Sequence, residues 1–301
     1  MQNQPLDKTV YRWIASATEA MESEGLFFGH GTDNAWDEAC WMVAYVLNLP
    51  PDFSADVQDA LLDQAQTKAL NSLLARRIDT RSPLSYLTGQ AWFAGLDFAV
   101  TPDVLVPRSP MAELILEGLA PWVDNQSPKR VLDVGTGSGC IALAVAYHWP
   151  NASEVVGVDI SEAALVVAKG NARRLHLERK VRWLQSDVYG ALESETFDVI
   201  LSNPPYVPTQ SMPSLPAEYG FEPALGLEAG ESGLDIVERL ILGAGTHLNP
   251  GGILICEVGE AAQAWDEWAQ QRKLEIVWLE FEYGGDGVFL VTHEALSRLS
   301  V

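Results

Sequence analysis

Asn203-Pro204-Pro205-Tyr206 is the segment of this chain best suited to hold an amino group still. The run before it, Phe197-Asp198-Val199-Ile200-Leu201-Ser202, has the make-up of a buried strand. Two consecutive prolines, each without a ladder donor, end that strand. Asn203 is thereby placed at its C-terminal tip, the edge at which open α/β sheets bind ligands. The Asn203 side-chain oxygen and the Pro204 carbonyl can accept both hydrogens of a planar –NH2, and Tyr206 can pack against its plane. The lone pair of such a nitrogen is delocalised, so the group is a poor nucleophile. Gripping both hydrogens turns the lone pair toward an electrophile, and orientation of this kind is worth about 7–11 kcal/mol. No general base is needed, because the nitrogen becomes acidic only after it has been attacked.

A second constellation lies upstream. Val131-Leu132-Asp133-Val134-Gly135-Thr136-Gly137-Ser138-Gly139-Cys140 reads as strand, glycine loop and helix start. Glycines permit positive φ and let a ligand approach the backbone, and the helix start supplies unpaired N–H groups. The spacing is GxGxG, not the GxGxxG of dinucleotide binders, and taken alone it also describes a tight turn into a helix. The acids give it weight. Asp159 ends the next strand, where an acid can accept both hydroxyls of an adenosine ribose. Asp187 ends the one after, in Gln185-Ser186-Asp187-Val188, within reach of an adenine amino group. A lone acid at a strand end is usually a cap or solvated. Three strands ending in Asp133, Asp159 and Asp187 beside a glycine loop describe a nucleoside site.

The elements that must carry these residues alternate. Strands fit 130–134, 154–158, 181–186, 197–202 and 252–258, and helices fit 138–148, 161–175, 233–247 and 260–272. Such alternation predicts a doubly wound parallel sheet with helices on both faces. Segments 274–283 and 287–292 flank Gly284-Gly285-Asp286, a hairpin signal that adds an antiparallel closing strand. The first 80 residues read differently. Val10, Trp13, Ile14, Ala17 and Met21 form a helical stripe within 6–24. A second helix is expected over 35–49, capped by Asn34 with Asp37 and Glu38 in its first turn, and a third over 56–78. A β-hairpin is expected over 91–106, turning at Gly95. A helix from about Ser109 has Pro110 at a tolerated position, and Asp124-Asn125-Gln126-Ser127-Pro128 is a turn-rich link. The domains expected are therefore 1–88, helical; 89–108, a hairpin linker; and 109–301, the α/β part.

The 301 residues carry a net charge of −22, and between Arg182 and Arg239 there are ten acids and no Lys or Arg. That stretch surrounds Asn203, and phosphate backbones would be repelled from it while a basic protein would be drawn to it. Each single acid there is also accounted for by a solvated face. Three distant cysteines and five scattered histidines give no disulfide framework and no metal-ligand spacing, so no metal is expected. The N-terminus has no basic-then-apolar pattern and no apolar run approaches a membrane span. The expected location is cytoplasmic.

These motifs, in this order, resemble the class I S-adenosylmethionine-dependent methyltransferases. The resemblance implies S-adenosyl-L-methionine as methyl donor. The residues it implies for the donor are Asp133, Gly135, Thr136, Gly137, Ser138, Gly139, Asp159, Asp187, Val188 and Asn203. Gly135–Gly139 would lie against the methionine part and Asp159 on the ribose. Within that family, NPPY accompanies transfer to nitrogen on a planar group. The whole chain is similar to the protein-glutamine branch, in Phe93 and Gly95 of the hairpin and in Leu105-Val106-Pro107-Arg108-Ser109-Pro110 followed by Glu113. Glu218-Tyr219, Glu222-Pro223 and Gly233-Leu234 agree with it. This implies methyl transfer to a glutamine side-chain amide, with Phe93, Arg108, Asn203, Pro204, Pro205 and Tyr206 on the substrate side.

One sub-branch modifies peptide-chain release factors and has Thr where this chain has Ala112. The other modifies ribosomal large-subunit protein three, a basic protein. Gly29-His30-Gly31-Thr32-Asp33-Asn34, Trp36-Asp37-Glu38-Ala39, Leu279-Glu280-Phe281 and Gly284-Gly285-Asp286-Gly287-Val288-Phe289 resemble the second. No direct nucleic-acid or membrane contact is implied. The competing readings are a release-factor methyltransferase, an RNA guanine methyltransferase and a non-catalytic ribosome assembly factor.

Overall fold

The structure, a computed structural model, describes residues 9–123, 128–282 and 284–299. The link at 124–127, the first residues of the predicted N-terminal helix and Tyr283 lie outside the described residues. The chain forms two compact units, Met1–Gln90 with Pro216–Phe221, and Ala91–Leu215 with Glu222–Val301.

The first unit is helical: α1 (Val10–Ser23), α2 (Ala35–Leu47), α3 (Gln64–Thr80) and α4 (Leu84–Thr88). α1 buries Val10, Ile14, Ala17 and Met21, one face of a 3.6-residue period. Asn34 caps α2, its side chain accepting the Asp37 N–H at 2.9 Å. The single helix expected over 56–78 is two elements, a 3-10 turn at Ala55–Asp59 and then α3. The break has a local cause. Asp63 and Gln66 form a reciprocal capping box, which satisfies two donors of a new helix start.

A buried ion network fills the middle of this unit. Arg77, 1% exposed, donates to Glu38 (2.6 Å) and to the carbonyls of Phe27 (2.9 Å) and Arg81 (3.2 Å). Glu218, fully buried, accepts the Phe27 N–H at 3.0 Å and pairs with Arg81 at 2.9 Å, with Arg77 at 3.6 Å. In the same unit the His30 ring meets Phe27 and Tyr219 edge-on, and Phe27 and Tyr219 lie tilted to each other.

The second unit opens with the hairpin β1 (Gln90–Phe93) and β2 (Leu96–Ala99). Ala94 and Gly95 both have positive φ, the conformation a two-residue hairpin turn requires. The hairpin is shorter than the 91–106 expected. Val104 and Val106 are buried but lie beyond the strands, in a stretch where Pro102 and Pro107 lack ladder donors. α5 (Met111–Glu117) follows.

The sheet is built from β3 (Arg130–Val134), β4 (Glu154–Asp159), β5 (Val181–Gln185), β6 (Phe197–Ser202), β7 (Leu248–Glu257), β8 (Val277–Trp278) and β9 (Val288–Thr292). Interleaved helices are α6 (Cys140–His148), α7 (Glu162–Arg174), α8 (Asp235–His247), α9 (Ala262–Gln271) and α10 (His293–Leu296). The strand order is β5-β4-β3-β6-β7-β9-β8, with β9 antiparallel to both its neighbours. The strand expected over 274–283 shrinks to two residues and becomes the edge. Successive residues of β3, β4 and β6 alternate between two cores. Val131, Val155 and Val199 join the α6 side, and Leu132, Val156 and Ile200 the α8–α9 side.

The chain leaves the centre of the sheet at β3, runs outward through β4 and β5, and returns beside β3 as β6. The tips of β3 and β6 are thus neighbours at the point where the strand order reverses, with Val134 paired to Ser202. A crevice at that switch point is where doubly wound sheets bind ligands.

Candidate active site

The glycine loop leaves β3 through Gly135 and Thr136, whose N–H groups both donate to the Val158 carbonyl at 2.9 Å. Gly135, Gly137 and Gly139 all have positive φ. A Cβ on Gly137 would meet nothing within 4 Å and one on Gly135 only the Asn203 carbonyl at 3.9 Å. Both face open space in a cavity of about 360 Å3, within the range of small-molecule sites. Gly139 serves a different neighbour, since its Cβ would meet the Trp183 ring at 2.8 Å.

Of the residues expected at the donor site, Gly135, Gly137, Asp159, Asp187, Val188 and Asn203 line this cavity, together with Pro204 and Pro205. Asp133, Thr136, Ser138 and Gly139 do not, and neither do Phe93, Arg108 and Tyr206, which were expected on the substrate side. Asp159 accepts the Gly137 N–H on Oδ2 and the Ser161 N–H on Oδ1, both at 2.8 Å. Burial pushes its carboxyl up, and these bonds oppose the shift. Asp187 is half exposed at the rim and pairs with Arg239 at 2.8 Å.

Asp133 sits beneath the loop instead. Its Oδ2 accepts the Thr136 hydroxyl at 2.5 Å and the Ala142 N–H at 3.1 Å, which fixes the loop from inside. Burial pushes this carboxyl up to about 7 from 3.8. The folded protein therefore holds a proton that the unfolded chain releases, so this contribution to stability is full below about pH 4 and lost as pH rises through 7. Asp133→Asn keeps an acceptor for both donors. It is expected to flatten the loss, with wild type falling further than the variant in urea midpoint between about pH 5 and about pH 8.

Asn203 follows β6 directly, and its Oδ1 is buried with no hydrogen-bond partner among the described residues. A buried acceptor left without a partner costs about 1–3 kcal/mol, so its place in a cavity wall marks it for a ligand donor. Ser202 secures the strand end, its hydroxyl donating to the Val134 carbonyl at 2.7 Å. Tyr206 turns away from the cavity lining, and its hydroxyl donates to Glu257 at 3.0 Å. Arg108 is engaged by Glu222 through two bonds of 2.5 and 2.7 Å, and Glu222 also accepts the Val106 N–H. Phe93 is buried in the core against Phe98.

Several contributors carried no signal in the sequence. Asn171, fully buried, holds both backbone groups of Ala99 and the Ser138 carbonyl, so one amide joins the hairpin end to the glycine loop. Pro102–Leu105 and Pro223, Leu225 and Gly226 complete the cavity wall. The acidic stretch around Asn203 also reads differently in three dimensions. Glu218 and Glu222 are buried in ion pairs, Glu195 pairs with Arg130 and Arg182, and Asp187 with Arg239. Asp198 accepts the N–H groups of Lys129 and Arg130. Glu193, Glu228, Glu231 and Asp235 remain exposed. Half of the ten acids thus have structural work, and charge carries less of the substrate assignment than the linear sequence suggested. Among the described residues no His, Cys, Asp and Glu group could hold a metal ion, and no helix is long and apolar enough to cross a membrane.

The sequence and the fold are similar to those of known proteins. Residues 112–215, from α5 to the loop after Tyr206, match the family model "Methyltransferase small domain". The hMettl16 catalytic domain, solved in complex with MAT2A 3'UTR hairpin 1, superposes with a TM-score of 0.52 at 18% identity, covering 83% of this chain and 89% of that one. This likeness shows the fold. Relatives named ribosomal protein uL3 glutamine methyltransferase are far more similar. That of Xanthomonas campestris pv. campestris is 44% identical over 94% of this chain and 91% of its own length. That of Francisella tularensis subsp. tularensis is 38% identical over 96% and 92%. With these matches spanning nearly the whole chain, it belongs to the ribosomal protein uL3 glutamine methyltransferases.

Proposed function

We propose that the protein transfers the methyl group of S-adenosyl-L-methionine to the side-chain amide nitrogen, N5, of one glutamine in ribosomal protein uL3. The observation that carries this is the buried, unpartnered Asn203 Oδ1 in the same cavity as Gly135, Gly137 and Asp159. The cavity fits the donor. Gly135 and Gly137 leave room where side chains would project, close enough for backbone contact with the amino-acid part. Each Asp159 oxygen is anchored by one N–H, which leaves outward lone pairs for the ribose hydroxyls. Asp187, steadied by Arg239 at the cavity rim, would accept from the adenine amino group.

The bound sulfonium supplies an electrophilic methyl group. Asn203 Oδ1 and the Pro204 carbonyl accept the two amide hydrogens and aim the nitrogen at it. A carbon–nitrogen bond would form as the carbon–sulfur bond breaks, the sulfur keeping the electron pair as S-adenosylhomocysteine, and one gripped proton, made acidic by the attack, would pass to solvent water. Leu105, Pro223 and Leu225 line the same cavity and give the amide apolar neighbours beside the two acceptors.

Incubation with methyl-labelled donor, uL3 and a release factor tests the reading. Label on one uL3 glutamine, confirmed by peptide mass, is expected. Label confined to the release factor overturns the substrate, and RNase-sensitive label overturns the class.

A further inference from the structure

The NPPY tip is held from behind by a residue outside the cavity lining. Glu257 ends β7, beside β6 in the sheet. It is 6% exposed. Its Oε1 accepts the Tyr206 hydroxyl at 3.0 Å and its Oε2 the Ser109 hydroxyl at 2.6 Å. Ser109 directly follows Arg108, whose charge acts on Glu257 and which is gripped in turn by Glu222. One carboxylate thus joins three segments distant in sequence, at 109, 206 and 257.

The Tyr206 ring is also confined sterically. A Cβ on Gly259 would meet its ring carbon at 2.6 Å, and one on Gly233 would meet its carbonyl oxygen at 2.3 Å. Both glycines have positive φ, so backbone approaches Tyr206 on two sides where no side chain would fit. A tyrosine pinned at its hydroxyl, ring and carbonyl fixes the backbone two residues after Pro204, whose carbonyl is one of the two proposed amide acceptors.

The geometry points to Glu257 as a positioning residue for methyl transfer, acting through the Tyr206 hydroxyl to hold the Asn203–Pro204 acceptor pair in register. It rests on the proposed role of Asn203. Because its bond with Tyr206 lies outside the cavity lining, loss of the bond alters alignment of the amide and not occupancy of the donor site.

The test is a double-mutant cycle with Tyr206→Phe, which removes one oxygen, and Glu257→Leu. Tyr206→Phe is expected to lower kcat roughly ten-fold, with the KM for uL3 and the calorimetric Kd for S-adenosylmethionine within about two-fold. Glu257→Leu should lose at least as much, and the double variant little more than Glu257→Leu, because both break one link. Glu257→Gln, which keeps an acceptor for Tyr206, should recover most of the kcat. Tyr206→Phe at wild-type kcat overturns the inference. So do multiplicative losses in the double variant, or a donor affinity that falls in step with kcat. Should Glu257→Leu not fold, Tyr206→Phe and Glu257→Gln decide the matter. Asn203→Ala separates this inference from the reading beneath it. If Asn203→Ala is inactive and Tyr206→Phe is not, only the Glu257 role falls. If Asn203→Ala is active, the parent reading falls.

Discussion

Asn203→Ala is expected to lower kcat by about 10²–10³-fold, the scale for removing one preorganised polar group from a closed site, while the Kd for S-adenosylmethionine stays within a few-fold. The separation follows from the geometry. Asn203 Oδ1 has no partner within the described protein, so removing it breaks no internal bond. Donor-side residues Gly135, Gly137 and Asp159 are held by the Val158 carbonyl and the Gly137 and Ser161 N–H groups, none of which involves the Asn203 side chain. The amide would retain the Pro204 carbonyl and lose its second acceptor, leaving the lone pair free to swing out of line. Single-turnover rates with saturating donor and uL3 measure the loss, and calorimetry the affinity. Near-normal turnover would remove NPPY from the chemistry. A parallel collapse of donor affinity would mean that Asn203 shapes the cavity.

Arg77→Ala should cost about 3–5 kcal/mol of stability, because it leaves buried charge behind. Glu38 is 5% exposed at its side chain and loses its cation, whereas Glu218, fully buried, keeps Arg81 at 2.9 Å. The Phe27 and Arg81 carbonyls lose a donor as well. Burial already pushes the Glu38 carboxyl up, against the pull of Arg77. Without that cation it rises further. A raised carboxyl contributes stability at low pH that is lost as pH climbs through its folded value, so the deficit of the variant should be larger near pH 8 than near pH 5. Urea unfolding at both values reads this out, and a pH-independent deficit below about 1 kcal/mol would show that the network carries no net charge stabilisation.

What the linear sequence disclosed follows from where the information lies. β3 and β6 were legible at both ends, 130–134 and 197–202, because an apolar run stops against Gly135 in one case and two prolines in the other. Asn203, Gly135, Gly137 and Asp159 could be read for the same reason, since each follows or ends a strand whose tip must face the switch point. The break before α3 was written in Asp63 and Gln66, whose reciprocal capping the single helix expected over 56–78 leaves out. The hairpin was overextended because Val104 and Val106 have the burial of strand residues without a partner strand. Pairings across long separations were illegible. Nothing local in Glu257 marks it as the acceptor for Tyr206, 51 residues away, nor in Asn171 as the clamp on Ala99, 72 away. The acids after NPPY misled most. Glu218 and Glu222 look like surface charge in one dimension, and each is buried against arginine.

The helical unit includes Pro216–Phe221 as well as its first ninety residues. On a ribosome the chain emerges in order, and Glu218 follows Gln90 by roughly 130 residues. At about 5–20 residues per second, Arg77 and Arg81 wait on the order of ten seconds for the carboxylate that completes their cluster. The helical unit is therefore still incomplete when its first ninety residues have been made. Its nascent form carries two arginines without Glu218 until most of the sheet has been translated, and a fragment ending at residue 90 would remain in that state permanently.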